Sequence, residues 1–193
     1  MTSLDQCSIR LYGDSDDSAL LELMTELQDS LRKIDEALPI GREMAADYLR
    51  YTHKSCREQS GRILVAATAD AVIGFATVLT RVPYDSPDSP KGYFAYLMDL
   101  VVHAPWRGHG VGSALMAAAE DAALAAGATE LRTLVLHGNR AVNLYRRGGM
   151  TDYSLTLRKP LRADPSSSFG MSRTLCAKNN AGQPVAAPHV VQL

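Results

Sequence analysis

The chain has 193 residues, of which 46% are hydrophobic and 21% charged, and its formal net charge at pH 7 is -1. That length suits one domain with a sizeable core, and the composition excludes a disordered chain. A charge so close to zero excludes a whole-protein attraction to nucleic acid or to an anionic membrane.

The first predicted elements are a short strand at 8–12 and two helices. Apolar residues at helical spacing predict the first helix over 19–34, behind several possible N-caps, and the second over 42–58. Two runs rich in β-branched residues, 62–68 and 72–80, then predict a hairpin.

A proline-rich surface loop at 82–92 leads into YFAYLMDLVV, which we predict to be a buried central strand at 93–102. The helix that follows has a stripe of Val111, Leu115 and alanines, with Gly127 as its C-cap. Three further elements are predicted: a strand at 130–137, a short helix at 139–147 opened by Asn139, and a last strand at 150–159. This order predicts a mixed α/β fold.

The chain ends in a Ser-, Pro- and Ala-rich stretch that cannot bury much surface. We therefore predict one domain over 1–162 and a tail over 163–193. The three cysteines, Cys7, Cys56 and Cys176, form no CxxC pair, so we expect reduced thiols and no metal site. No signal peptide and no 18-residue apolar span is found, and we expect a soluble, cytoplasmic protein with no membrane partner.

The stretch RGHGVGSALMAAAE places Gly108, Gly110 and Gly112 at every second position behind Arg107. A glycine loop between a buried strand and a helix presents backbone N–H groups that bind phosphate, and Arg107 adds a positive charge. A P-loop would need a lysine after the last glycine, and a dinucleotide fingerprint would need a third glycine at Ser113. A tight turn without a ligand is the remaining alternative.

Two motifs resemble the GCN5-related N-acetyltransferases. Arg107, Gly110 and Gly112 occupy the fixed places of that family's Arg/Gln-x-x-Gly-x-Gly/Ala loop, and NRAVNLYRRGGM resembles its later helix. The resemblance covers about 8–160 and implies the family's mostly antiparallel sheet flanked by helices. YLMDLVV and AVNLYRRGGMTDYS look most like the diamine acetyltransferases, which carry Glu-Asp where this chain has Met98 and Asp99.

The resemblance implies an acetyltransferase that uses acetyl-CoA (coenzyme A) and a primary amine, the amine attacking directly in a ternary complex. The pyrophosphate of acetyl-CoA would lie on the loop amides, and its pantetheine arm would pair beside the buried strand. The expected cofactor residues are Leu100, Val101, Val102, Arg107, Gly108, His109, Gly110, Val111, Gly112, Ser113, Asn139 and Tyr145.

Tyr145 and Asp99 are the expected catalytic residues. The family places a tyrosine at Tyr145 as proton donor to the leaving thiolate, and the alternative for this residue is aromatic packing. Asp99 interrupts an apolar strand, so it is a base, an amine anchor or a carboxylate satisfied within the fold.

Several other charged residues have weaker functional interpretations. Acidic residues of the predicted acceptor segments could hold a cationic amine but are more often solvated: Asp35, Glu36, Asp85 and Asp88. Three arginines near the predicted cofactor rim could contact the adenosine phosphate of the cofactor but are more often part of a solvated helix face: Arg140, Arg146 and Arg147. The acceptor is a small molecule or a peptide, and monomer and homodimer both stay open. A catalytically inactive acyl-CoA-binding module is the alternative function.

Overall fold

Four helices and five strands follow one another in the computed structural model, which describes residues 7–84 and 86–159. In chain order the elements are β1 (Ser8–Leu11), α1 (Asp17–Arg32), α2 (Gly41–Glu58), β2 (Arg62–Ala67), β3 (Val72–Pro83), β4 (Tyr93–Val102), α3 (Val111–Ala125), β5 (Leu131–Arg132) and α4 (Val142–Arg147). Short 3-10 turns precede α1 at Asp14–Asp16 and follow β4 at Ala104–Trp106. The mixed α/β order predicted from the sequence is confirmed.

The five strands form one sheet in the order β1-β2-β3-β4-β5. The first three pairings are antiparallel, and only β4 and β5 run parallel. The sheet is therefore mostly antiparallel, as expected, and β4 is second from its edge.

Helices cover both faces of the sheet, because each strand from β2 to β4 is apolar on both sides. On one face α1 and α2 pack against Val65, Phe75 and Val101, while on the other α3 and α4 pack against Leu100 and Val102. Burying an apolar side chain of this size stabilises the fold by about 1.5–3 kcal/mol. This sandwich holds β4 rigidly between the two layers.

Two predicted strands are much shorter or absent. The strand expected at 130–137 is reduced to Leu131–Arg132, since only Ala95↔Leu131 and Tyr96↔Arg132 pair with β4. The strand expected at 150–159 is wrong for its described part: residues 151–159 are exposed and carry no ladder. Apolar and polar residues alternate in both segments as they do in strands, but a strand forms only where a partner strand supplies the other half of the hydrogen bonds.

Residues 7–150 belong to one unit of the chain, and a second unit begins at Thr151. The predicted boundary after residue 162, the tail at 163–193 and Cys176 lie outside the described residues. Cys7 and Cys56 are free thiols, as expected. Within the described ranges, no helix combines the length and apolarity needed to cross a membrane.

Candidate active site

The sheet opens between β4 and β5 beyond their two paired residues. Thr133 follows β5, and its hydroxyl, rather than a backbone group, donates to the carbonyl of Leu97 at 3.0 Å. From Met98 to Val102, β4 therefore has a ladder partner on its β3 side alone in the described part of the chain. The predicted residues Leu100, Val101 and Val102 all lie along this open segment.

A β-bulge sits at the start of the open segment. Thr77 pairs with Asp99 and Val78 with Leu97, so that Met98 is the extra residue of β4. The bulge shifts the alternation of the strand and places Asp99 on the face covered by α1 and α2, while Leu97 joins the core on the α3 face.

Asp99 is fully buried, with 0% of its surface exposed. The Tyr48 hydroxyl of α2 donates to its Oδ1 at 2.7 Å, whereas Oδ2 has no partner among the described residues. Burial raises the pKa of this carboxyl from 3.8 to about 6, and the hydroxyls of Tyr48 and Thr77 partly oppose that rise. The Oγ1 of Thr77 lies near this carboxyl but outside hydrogen-bond geometry, so Tyr48 is the residue that donates to it. Asp99 thus binds a proton more tightly than an ordinary aspartate, because burial raises its pKa.

Tyr145 comes from α4, packs within the core of the α3 face and is 2% exposed. Its hydroxyl has no hydrogen-bond partner in the described structure. Burial, followed by the charges of Asp99 and Tyr96, raises the pKa of this phenol well above its usual value. Tyr145 therefore stays protonated and has one O–H donor that no described residue accepts.

The glycine loop takes the shape that its sequence predicts. Gly108 and Gly110 have φ values of +79° and +85°, in the left-handed region that favours glycine. α3 begins at Val111 with Gly110 as its N-cap, and no side chain of the described chain caps its first turn. The N–H groups of that first turn are free of helical partners and carry the positive end of the helix dipole.

The Arg107 side chain contacts β4 and α1. Its Nε donates to the carbonyl of Val102 at 2.8 Å, and its Nη2 pairs with Glu26 of α1 at 2.6 Å. The positive charge that the sequence suggested for a phosphate is therefore shared with a carboxylate. Glu26 was missed in the sequence, because a glutamate on the polar side of an amphipathic helix reads as a solvated residue.

The helix predicted over 139–147 begins later than expected: α4 starts at Val142 with Ala141 as its N-cap, and Asn139 lies in the turn before it. Asn139 is buried, and its Oδ1 accepts from the N–H of Ala141 at 2.9 Å. A cleft of about 220 Å³ lies between α3 and α4. It is lined by Ser113, Met116, Ala117, Glu120, Leu144, Arg147 and Gly148.

The remaining predicted charges lie at the surface or away from the centre. Arg140, Arg146, Glu36 and Asp88 are exposed, and Asp35 accepts from the N–H of Ala37 at 3.2 Å. Asp85 lies outside the described residues. His109 is exposed in the loop, and no group of three potential metal ligands occurs within 7–84 or 86–159.

Solved structures share this fold. A candidate acetyl transferase from Pyrococcus furiosus is 25% identical, with a TM-score of 0.62 over 80% of this chain and 99% of its own. The aminoglycoside 6′-N-acetyltransferase AAC(6′)-Ig from Acinetobacter haemolyticus is 18% identical, with a TM-score of 0.61 over 81% and 99%. A predicted acetyltransferase from Clostridium acetobutylicum, solved with acetyl-CoA, is 15% identical, with a TM-score of 0.61 over 80% and 96%.

No curated protein sequence matches the chain. A family model does: the model of the Acetyltransferase (GNAT) family matches residues 22–150, which is more than half of the chain and includes β4, the glycine loop and α4. The chain therefore belongs to the GNAT family of acetyltransferases.

Proposed function

We propose that the protein transfers an acetyl group from acetyl-CoA to a primary amine of a small molecule or peptide, by direct attack within a ternary complex. One observation carries this proposal: the open edge of β4 leads directly into a glycine loop whose helix has uncapped N–H groups, in a chain of the GNAT family. The open edge offers backbone hydrogen bonds to an extended arm, and the loop offers positive dipoles to a diphosphate.

The residues present fit acetyl-CoA. The amides of 107–113 would bind its pyrophosphate, and the backbone of Leu100–Val102 would pair with its pantetheine. The unpartnered Tyr145 hydroxyl supports this fit, because a buried O–H without an acceptor costs about 1–3 kcal/mol unless a ligand satisfies it. When bound, acetyl-CoA supplies an activated acetyl thioester. Asn139 stays a candidate through its place in the turn before α4, and Ser113 of the loop lines the α3–α4 cleft.

Proton transfer is the task we assign to the two catalytic candidates. An alkyl ammonium with a pKa of about 10.4 is neutral in roughly 1 of 2,500 molecules at pH 7, a cost of about 4.6 kcal/mol. Asp99 would accept this proton, and its raised pKa makes it a stronger base than an ordinary aspartate. Tyr145 would donate its phenolic proton to the departing sulfur.

The alternative function is a catalytically inactive acyl-CoA-binding module. Two observations favour it: Asp99 is fully buried beneath Tyr48, and the neighbouring Met98 supplies no carboxylate. In such a module Asp99 would be a structural carboxylate and the loop would still bind the cofactor.

Calorimetry and a thiol-release assay separate the two functions. The full chain is titrated with CoA and with acetyl-CoA, then assayed with diamines, polyamines, aminoglycosides, amino acids and peptides with free amino groups. The enzyme predicts both heat of binding and release of CoA with at least one amine class. Binding without turnover across the panel would favour the module, and no binding of either cofactor form would reject both.

A further inference from the structure

One carboxylate, that of Glu26 in α1, contacts most of the segment that joins β4 to the glycine loop. Its Oε1 accepts from the backbone N–H of Ala104 at 3.0 Å and from Nη2 of Arg107 at 2.6 Å. Its Oε2 lies 2.7 Å from Nδ1 of His103. Glu26 is 77 to 81 residues away from these partners in sequence. These contacts therefore connect α1 to the segment 103–107, which precedes the glycine loop.

The loop is exposed at Gly108. A Cβ atom added there would meet nothing within 4 Å, so the chain stands clear of other atoms at this residue. Gly108 and Gly110 have no side chains to anchor, and flexible glycines lose more conformational freedom on ordering than other residues. Order in the loop must come from the residues before it and from α3 after it.

Two linked side-chain contacts add to the backbone hydrogen bonds and the packing of Trp106 that hold the segment before the loop. Arg107 donates through Nε to the carbonyl of Val102, the last residue of β4, and through Nη2 to Glu26. Glu26 then fixes the orientation of the same guanidinium and also binds the backbone at Ala104. Charge-assisted bonds of this kind are about twice as strong as neutral ones, and Glu26 is only partly exposed, so solvent screens them incompletely.

We propose that Glu26 is a positioning residue for the cofactor, one that holds 103–107 so that the amides of 108–113 are ordered before acetyl-CoA arrives. This inference rests on the proposed function of the loop. Since Glu26 neutralises Arg107, the attraction for the pyrophosphate comes from backbone N–H groups and the helix terminus, while Arg107 supplies rigidity. The opposite role for Glu26 is a negative charge that repels the pyrophosphate.

Two variants and one control separate these roles. Glu26→Gln keeps an oxygen acceptor for the N–H of Ala104 but loses the ion pair, whereas Glu26→Ala loses every contact. Glu22→Gln, on the same helix but exposed, removes one equal charge and is the matched control. Thermal unfolding of each variant establishes that it is folded.

The first readout needs no ligand. We expect faster backbone hydrogen exchange over 103–113 in Glu26→Gln, and faster still in Glu26→Ala, with rates in α1 and in Glu22→Gln close to those of the wild type. Exchange over 103–113 that is unchanged in Glu26→Ala would overturn the proposal. Faster exchange in the variants of a protein whose wild type binds no CoA would show that Glu26 orders the loop but would reject the proposed function.

The second readout is affinity. We expect the Kd for CoA and the KM for acetyl-CoA to rise about tenfold in Glu26→Gln and further in Glu26→Ala. The KM for the amine and kcat at saturating acetyl-CoA should change little, a split that general destabilisation would not produce. A Kd that is unchanged or lower in Glu26→Gln would contradict the positioning role, and a lower one would favour repulsion.

Discussion

Replacing Asp99 with asparagine should stabilise the folded protein at neutral pH and abolish a pH dependence of its stability. The side chain is fully buried, and one of its two oxygens has no partner in the described structure. Asparagine has nearly the same shape, can still accept from the Tyr48 hydroxyl, and adds an N–H that the unpartnered Oγ1 of Thr77 can accept.

The expected gain in stability follows from the pKa of Asp99. Burial raises this pKa from 3.8 to about 6, so the folded state binds a proton more tightly than the unfolded state does. This contribution to stability is fully present below pH about 4 and is lost as the pH rises through about 6. The difference of about 2 pH units corresponds to about 3 kcal/mol. Asp99→Asn should therefore be more stable than the wild type by up to about 3 kcal/mol at pH 8.

Urea unfolding of both proteins at intervals from pH 4 to pH 8 measures this effect. The free energy of unfolding of the wild type should include a decrease over that pH interval, and the variant should lack this decrease. The difference in stability between the two proteins should therefore grow with pH. Asp121→Asn, which removes an exposed carboxylate from α3, is the control and should leave the pH profile unchanged. Parallel profiles for the wild type and Asp99→Asn would refute the burial argument. A lower rate of turnover in a stabilised variant would identify Asp99 as functional, and unaltered kinetics would make it structural.

Three further variants test the site. Tyr145→Phe should lower turnover by about 10²-fold while the Kd for CoA changes little, because the variant loses only a hydroxyl that has no partner in the described structure. Wild-type rates across pH would exclude Tyr145 as the acid. Tyr48→Phe removes a hydrogen bond that lowers the pKa of Asp99. The acidic limb of its kcat/KM profile should therefore move to higher pH, and an unmoved limb would remove Asp99 as the titrating base. Gly110→Asp should abolish the heat of CoA binding through charge and a backbone strain of about 1–2 kcal/mol. Gly127→Asp is the control: Gly127 has a similar φ of +82° at the other end of α3, so this variant should lose stability but retain CoA binding. Equal binding of CoA by both variants would reject the loop as the cofactor site.

The sequence predicted those elements whose pattern is long and local. Helical spacing gave α1, α2 and α3 to within a few residues, and the run at 93–102 matches β4 as found. The strand predicted at 130–137 is confirmed only over Leu131–Arg132, and the one at 150–159 is wrong. Alternation of apolar and polar residues indicates two faces but cannot indicate whether a partner strand lies alongside. β5 ends where its pairing with β4 ends, and that is a property of the whole sheet.

The candidate site divides in the same way. The glycine loop and Asp99 could be read from the sequence, the first because positive φ favours glycine and the second because it interrupts an apolar strand. Tyr48 and Glu26 could not, since each contacts its partner across more than 50 residues of intervening chain. On an amphipathic helix such residues have the spacing of ordinary surface or boundary positions.

Five buried side-chain polar atoms have no partner in the described structure; one, Asp99 Oδ2, belongs to the open segment of β4, and another, Thr77 Oγ1, belongs to the residue paired with Asp99 on β3. Asp99 Oδ2, Thr77 Oγ1 and the Tyr145 hydroxyl are all buried and without partners in the described structure, and Asp99 lies where β4 loses its neighbour. A core selected for stability alone would replace them, because an apolar side chain of similar size removes the cost of each. The bulge turns the Asp99 carboxylate toward the α2 layer, and the proposed proton transfer would give that costly burial a purpose. The stability lost at Asp99 can be measured before any acceptor amine is known, and a variant that gains this stability but keeps its turnover would remove that purpose.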